Sequence, residues 1–273
     1  MAYDRTLRRH VHAGADRNLR VVTSGYPLRV DAWSDIPGLV HGFLGRAHGV
    51  PAGPFTTSDV HDALVRAGES PRAVAASLQV HGIAVLSPED MPRAPEDGGV
   101  LYAAELPEGD VWVSASADVV LTIRTADCVP ILLVAPRAHA VAAVHAGWRG
   151  TLDGAIEAAL AALTDRYDAH PEELSAAIGP AIDGCCYEFG REHFAAFEAR
   201  FGPEVAAAWR RTNESYFLDL RSLCRRVLER AHVPGDAIHI VGPCTAEHPD
   251  ELHSHRRDGP HAGRQLSYIG WRS

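Results

Sequence analysis

Two apolar runs, residues 129–135 and 140–144, separated by a break at residues 136–139, constrain this chain more than any other feature. Neither run has a polar face, so together they read as a hairpin of two buried strands. Pairing symmetric about Pro136 and Arg137 sets Cys128 directly opposite His145 on one face, with Cβ atoms about 5 Å apart. A slip of one residue would put them on opposite faces.

A thiolate and an imidazole at that spacing can grip one ion, and Gln79-Val80-His81-Gly82 offers a third ligand in His81. One Cys and two His suit zinc, with copper as the other candidate, and three protein ligands leave a tetrahedral ion one open position, the mark of a catalytic centre. Taken singly, each residue reads differently: free cysteine is among the most buried residue types, and the chain has 16 histidines. The trio with its facing geometry reverses that preference.

The same residues carry a resemblance. Gln79-Val80-His81-Gly82, Thr125-Ala126-Asp127-Cys128-Val129-Pro130 and His145-Ala146-Gly147-Trp148-Arg149-Gly150 resemble the signature of the YfiH-like family, whose members are described as laccase-domain polyphenol oxidase, purine nucleoside phosphorylase and peptidoglycan editing factor. His41-Gly42-Phe43 with Arg46, Ile178-Gly179-Pro180, Tyr187-Glu188 and the stretch 254–259 with Gly263-Arg264 extend the similarity from about residue 38 onward. Two departures stand out. Gly45 precedes Arg46 where the family has Thr-Arg, and its Asn-Leu-Gly stretch has no counterpart between Pro51 and Leu78.

Strands in hairpins mixed with helices argue an α+β fold. The resemblance implies something sharper: a four-layer α/β/β/α sandwich with mixed sheets and a metal site in a cleft at the sheet ends. It implies phosphorolysis of adenosine, inosine and S-methyl-5'-thioadenosine, with adenosine deamination as a further activity. His81, Cys128 and His145 are then both metal ligands and catalytic residues. Arg149 takes phosphate, and Arg46, Asp127 and Arg256 are the remaining substrate-binding candidates.

Local chemistry bears on these assignments. Gly147-Trp148-Arg149-Gly150 lies between a strand and a helix expected from about Thr151 to Arg166, so backbone N–H groups and a guanidinium make an anion seat. The alternative is a tight turn with Trp148 plugging the core. Asp127 either orients a histidine or caps a turn.

The zinc deaminase pattern, His-x-Glu with a later Pro-Cys-x-x-Cys, is absent, because Pro243-Cys244 is followed by Thr245-Ala246-Glu247. Multicopper oxidases need several His-x-His pairs. This chain has His10-Val11-His12 and His253-Ser254-His255, and Met91 alone besides Met1 as a thioether ligand. A weak copper-dependent polyphenol oxidase remains an alternative. Others are a cysteine or zinc amidase editing peptidoglycan precursors, with Cys128 as nucleophile, and a zinc-stabilised binding protein closed by a fourth ligand such as His255.

The formal charge of −9 argues against nucleic acid, and all 26 basic residues are arginines, which removes Schiff-base chemistry and the phosphate-loop lysine. Five cysteines make no disulfide framework; Cys185, Cys186, Cys224 and Cys244 read as structural thiols of a reducing compartment. No secretion signal or membrane span is evident, so a cytoplasmic monomer or homodimer without membrane partners is expected. Residues 1–20 read as a loose arm and 21–273 as one catalytic domain. Further expected elements are strands at 111–113, 119–123 and 176–178, an amphipathic segment at 189–200, a helix capped by Asp219 and running to Arg230, and a final strand at 238–241.

Overall fold

The computed structural model describes residues 25–91, 106–117, 119–212 and 215–272. The arm at 1–20, with His10 and His12, lies outside them. The strands are β1 (Leu39–Phe43), β2 (Ala73–Ala75), β3 (Val85–Leu86), β4 (Val111–Ser114), β5 (Val119–Thr125), β6 (Val129–Ala135), β7 (Ala140–Ala146), β8 (Ser175–Ile178), β9 (Glu188–Phe189), β10 (Trp209–Arg211), β11 (Tyr216–Leu218), β12 (Ile238–Ile240) and β13 (Gln265–Trp271). The helices are α1 (Thr57–Arg66), α2 (Trp148–Asp153), α3 (Ala155–Tyr167), α4 (Arg191–Phe201), α5 (Leu220–Arg230) and α6 (His255–Asp258). They form a mixed α+β fold.

The two apolar runs are β6 and β7, and every residue of both is buried. They sit at the middle of a six-stranded sheet ordered β12-β8-β6-β7-β4-β3, where a strand covered on both faces has to be apolar throughout. Strand alternation divides their side chains. Ile131, Leu133, Ala142 and Val144 join a core with Ile156, Leu163, Phe197 and Leu223 of the helices. Leu132, Val134, Val141 and Ala143 join another with Leu121, Ile123 and Ile269 of the second sheet, ordered β1-β13-β5-β2. The far face of that sheet packs Val74, Val120 and Leu266 against Val60, Ala63 and Leu64 of α1. Burying each Val, Leu or Ile side chain among these contributes roughly 1.5–3 kcal/mol.

Some family-like motifs are explained by packing alone. A Cβ on Gly179 would lie 2.2 Å from the Phe43 ring and 2.9 Å from Pro130, and one on Gly42 would lie 2.7 Å from the Tyr268 hydroxyl. The ring and the phenol need those absences.

Several sequence expectations require correction. The β6–β7 register pairs Val129 with Ala146 and Pro130 with His145, so Cys128 falls opposite Gly147 and diagonal to His145. The reason is the turn itself: residues 136–139, with His139 in the left-handed region at φ 51°, are centred between Arg137 and Ala138. A two-residue displacement keeps the same face, which is why Cys128 and His145 still share one. The helix expected from Thr151 begins at Trp148 and is broken at Gly154, whose φ of 105° ends α2 and starts α3. The strand at 238–241 is not the last, because β13 follows and occupies the interior of the second sheet. Asp219 does cap α5, accepting from Ser222 N at 2.9 Å.

Candidate metal centre and active site

Three chain segments meet at one end of the six-stranded sheet. Cys128 immediately precedes β6, Gly147 immediately follows β7, and Asp110 immediately precedes β4, which pairs Val111 with Val144. His81 arrives on the loop between β2 and β3. The nitrogen and sulfur ligand atoms of His81, Cys128 and His145 lie within 4.8 Å of one another, and the two imidazole rings are 4.9 Å apart, edge to face.

The organiser is Asp110, fully buried and not singled out by the sequence. Its Oδ1 lies 2.6 Å from His145 Nδ1 and accepts from His81 N at 3.0 Å. Its Oδ2 accepts from Gly82 N at 2.8 Å and Val80 N at 3.1 Å. One carboxylate therefore fixes the tautomer of His145, turning Nε2 toward the thiol, and pins the backbone of the loop bearing His81. Three backbone donors hold His81 at φ 62°, a left-handed conformation unusual for a residue with a Cβ. Gln79 adds a strand-like pair with Arg124, donating to its carbonyl and accepting from its N–H, both at 2.8 Å. The only local hint of Asp110 is an acidic residue placed directly before the apolar Val111-Trp112-Val113.

Space for the trio comes from Gly147, where a Cβ would lie 2.9 Å from His81 Cδ2 and 3.1 Å from Cys128 Sγ. Burial pushes the Cys128 thiol up, but the charge of His145 and hydrogen bonds from His145 and His81 outweigh it and bring the thiol down to about 6. Burial likewise pushes His145 down, and Cys128 and Asp110 overcome it, raising the imidazole to about 9. Thiolate beside imidazole is the donor set for a borderline-soft ion, and the residues present fit zinc or copper.

Asp127, with φ 91°, touches neither histidine; the capping alternative describes it. Its Oδ1 accepts from the Thr245 hydroxyl at 2.5 Å and its Oδ2 from Arg256 N at 2.6 Å, so it ties the Cys128 loop to the start of α6. The hydroxyl of Tyr187 sits within electrostatic reach of several expected substrate residues. Burial raises its pKa first and the charges of Cys128 and Asp127 add to that, while Arg256 and Arg149 oppose. Arg149 is exposed, its guanidinium 4.4 Å over the Trp148 ring, and Arg256 lies 5.1 Å from the Tyr187 ring. A cavity of about 470 Å³ lined by Glu188, Phe189, Arg191, Arg211, Tyr216 and Arg256 adjoins this region.

Arg46 stands apart, paired with Asp258 at 3.0 Å. Arg257 donates to the carbonyls of Thr245 and Leu252 and is a structural brace. His255 joins no converging group of ligands among the described residues. His253 is driven down to about 4 by burial and by Arg46, Arg264 and Arg257, against the pull of Asp258.

Comparisons with known proteins identify the family. The chain is 37% identical over 236 residues to a purine nucleoside phosphorylase of Deinococcus radiodurans, covering 84% of this chain and 88% of that one. Purine nucleoside phosphorylase YlmD of Geobacillus stearothermophilus is 36% identical over 195 residues, 71% of this chain and 70% of its own. The crystal structure of YlmD from that organism superposes with a TM-score of 0.76 at 28% identity, covering 92% of this chain and 98% of that one. A hypothetical protein YfiH of Bacillus licheniformis has the same fold, with a TM-score of 0.75 at 23% identity over 91% of this chain and all of its own. A family model described as multi-copper polyphenol oxidoreductase laccase matches residues 40–272, a span that holds all three converging ligands and Asp110, and the chain belongs to that laccase/YfiH family.

Proposed function

We propose that this protein is a zinc-dependent purine nucleoside phosphorylase acting on adenosine, inosine and S-methyl-5'-thioadenosine. The observation that carries the reading is the convergence of His81, Cys128 and His145 under Asp110, in a chain whose relatives are named for that activity. When bound, the ion supplies Lewis-acid polarisation or a lowered pKa of bound water at its open position. In the reaction a phosphate oxygen attacks the ribose anomeric carbon, the bond from that carbon to the purine nitrogen breaks, and its electron pair leaves with the base.

Arg149 takes the incoming phosphate, and Arg256 and Tyr187 line the substrate's flank. Arg46 acts at longer range through the Asp258 segment, and Asp127 binds indirectly by holding Arg256. Adenosine deamination is a further activity of the same centre, and copper there gives weak phenol oxidation. In this reading the two sheets and their flanking helices make the four-layer sandwich, with the centre in a cleft at the sheet ends. The protein works in the cytoplasm, consistent with five free thiols, and as a monomer or homodimer. No helix of the described residues is long and apolar enough to cross a membrane.

The test is release of free base from adenosine and inosine by wild type and Cys128→Ala, with metal content measured. Release that requires phosphate and disappears in the variant is expected. A zinc-loaded wild type that releases no base defeats the proposal.

One observation favours a second reading. Cys128, His145 and Asp110 also align as a thiol, a base and its orienting carboxylate, the arrangement of a cysteine amidase. That reading requires turnover of an amide substrate that survives removal of the metal, whereas the phosphorylase reading requires its loss.

A further inference from the structure

A second cluster of soft ligands lies outside the site described above. Cys185 and Cys186 sit in the turn after β8, and Cys244 and Glu247 in the loop after β12. Because β8 and β12 are parallel neighbours, both segments leave the sheet at the same end, and a bridge between Ala181 and Cys244 carries the pairing past the strand ends. Cys185 Sγ lies 3.2 Å from Cys186 Sγ and 3.7 Å from Cys244 Sγ, and the three sulfurs with a Glu247 carboxylate oxygen lie within 4.8 Å of one another.

The surroundings hold this arrangement in place. Arg221, a buried residue of α5, grips the Asp183 carboxylate with two nitrogens at 2.6 and 2.5 Å and donates to the Gly242 carbonyl at 2.8 Å. One guanidinium thus fixes both ligand-bearing segments. Thr245 N donates to the Ala181 carbonyl at 3.0 Å, and Asp183 N points at Cys244 Sγ at 3.4 Å. Cys244 is buried while Cys185 and Glu247 face solvent, so an ion has a route in.

We propose that Cys185, Cys186, Cys244 and Glu247 form a second, structural metal site suited to Zn²⁺. Tetrahedral zinc at about 2.3 Å from each sulfur separates the sulfurs by about 3.8 Å, close to the Cys185–Cys244 spacing. Three thiolates select a soft or borderline ion, and the carboxylate completes four ligands, so this site is closed where the His81 centre is open. Thiols are weak hydrogen-bonding groups and gain little from one another. A disulfide uses two of three cysteines and strands the third; an ion uses all of them. Such an ion staples the 183–187 turn to the 242–247 loop and so buttresses Thr245, which bonds Asp127 beside Cys128. The inference does not depend on the phosphorylase reading.

The experiment uses the full chain, purified and dialysed under reducing, anaerobic conditions. A His81→Ala/Cys128→Ser variant empties the first centre. It should retain about one zinc per chain against about two in wild type, with an X-ray absorption edge dominated by sulfur at about 2.3 Å. Adding Cys185→Ser and Cys244→Ser should abolish that zinc. Glu247→Gln, which keeps all three thiols, should weaken zinc binding about 10-fold. The proposal is overturned if the variant lacking the first centre retains no zinc, or if its zinc shell is nitrogen and oxygen. Mass spectrometry showing a Cys185–Cys244 disulfide in the reduced, zinc-supplemented protein also overturns it, and assigns the cluster to redox chemistry.

Discussion

Asp110 holds four donors with one carboxylate, and Asn in its place offers one acceptor oxygen and an amide that opposes the N–H groups. Asp110→Asn should therefore destabilise the protein by about 3 kcal/mol in urea denaturation, because buried donors are left unpaired. It should also weaken zinc binding by about 10- to 100-fold in a competition titration, because His145 loses its orienting partner. Gly147 permits a cleaner separation of the two effects. Its φ of −71° suits alanine, so the backbone of Gly147→Ala is unstrained and the cost of the substitution falls on the contacts of the added methyl. The added methyl meets His81 and Cys128 at 2.9 and 3.1 Å, and metal affinity should fall about 10-fold or more. Unchanged zinc affinity in that variant would remove Gly147 from the account. At this scale the convergence of His81, Cys128 and His145 was legible in the sequence because Cys and His are chemically conspicuous. Asp110 was not, since an aspartate beside a strand is ordinary until the fold turns its side chain toward a loop that begins 30 residues earlier.

Among the elements, α5 was readable nearly to the residue because its cap is local: Asp219 bonds Ser222 N and its hydroxyl, three positions away. Asp219→Ala should cost about 1 kcal/mol, seen as a lowered urea midpoint with an unchanged slope. The α2–α3 break was not readable, because Gly154 in an otherwise helical pattern looks like a tolerated glycine until its φ of 105° is known. The same limit applies to β13. Gln-Leu-Ser-Tyr-Ile-Gly-Trp carries polar residues at alternate positions, which suggests a half-exposed strand, yet Gln265 and Ser267 are buried and Gln265 bonds the His253 backbone. Periodicity reports which positions can be buried. It does not report that a polar position will find partners contributed by a distant loop.

For the molecule as a whole, the α+β class was legible, while the pairing of β1 and β5 on either side of β13 came from long-range register alone. One buried group in that sheet contributes a pH dependence of its own. His41 accepts from Val30 N at 2.9 Å, and burial, with Arg29 nearby and Glu69 opposing, pushes it down to about 4. The unfolded chain binds its proton below about pH 6.5 and the folded chain does not until about pH 4. The contribution of His41 is thus complete above pH 6.5 and falls on acidification, by about 2 kcal/mol at pH 5. In urea denaturation, the stability of wild type relative to His41→Gln, which keeps an acceptor without the titration, should fall by about this amount between pH 7 and pH 5. A further consequence follows from Asp127, whose partners Thr245 and Arg256 lie 118 and 129 residues further along the chain. At ribosomal rates of roughly 5 to 20 residues per second, the residue after Asp127, Cys128, waits roughly 6 to 26 seconds for that brace to be synthesised. The growing polypeptide therefore carries the Cys128 sulfur on an unsecured loop, and the geometry of the candidate metal centre belongs to the finished protein rather than to the nascent one.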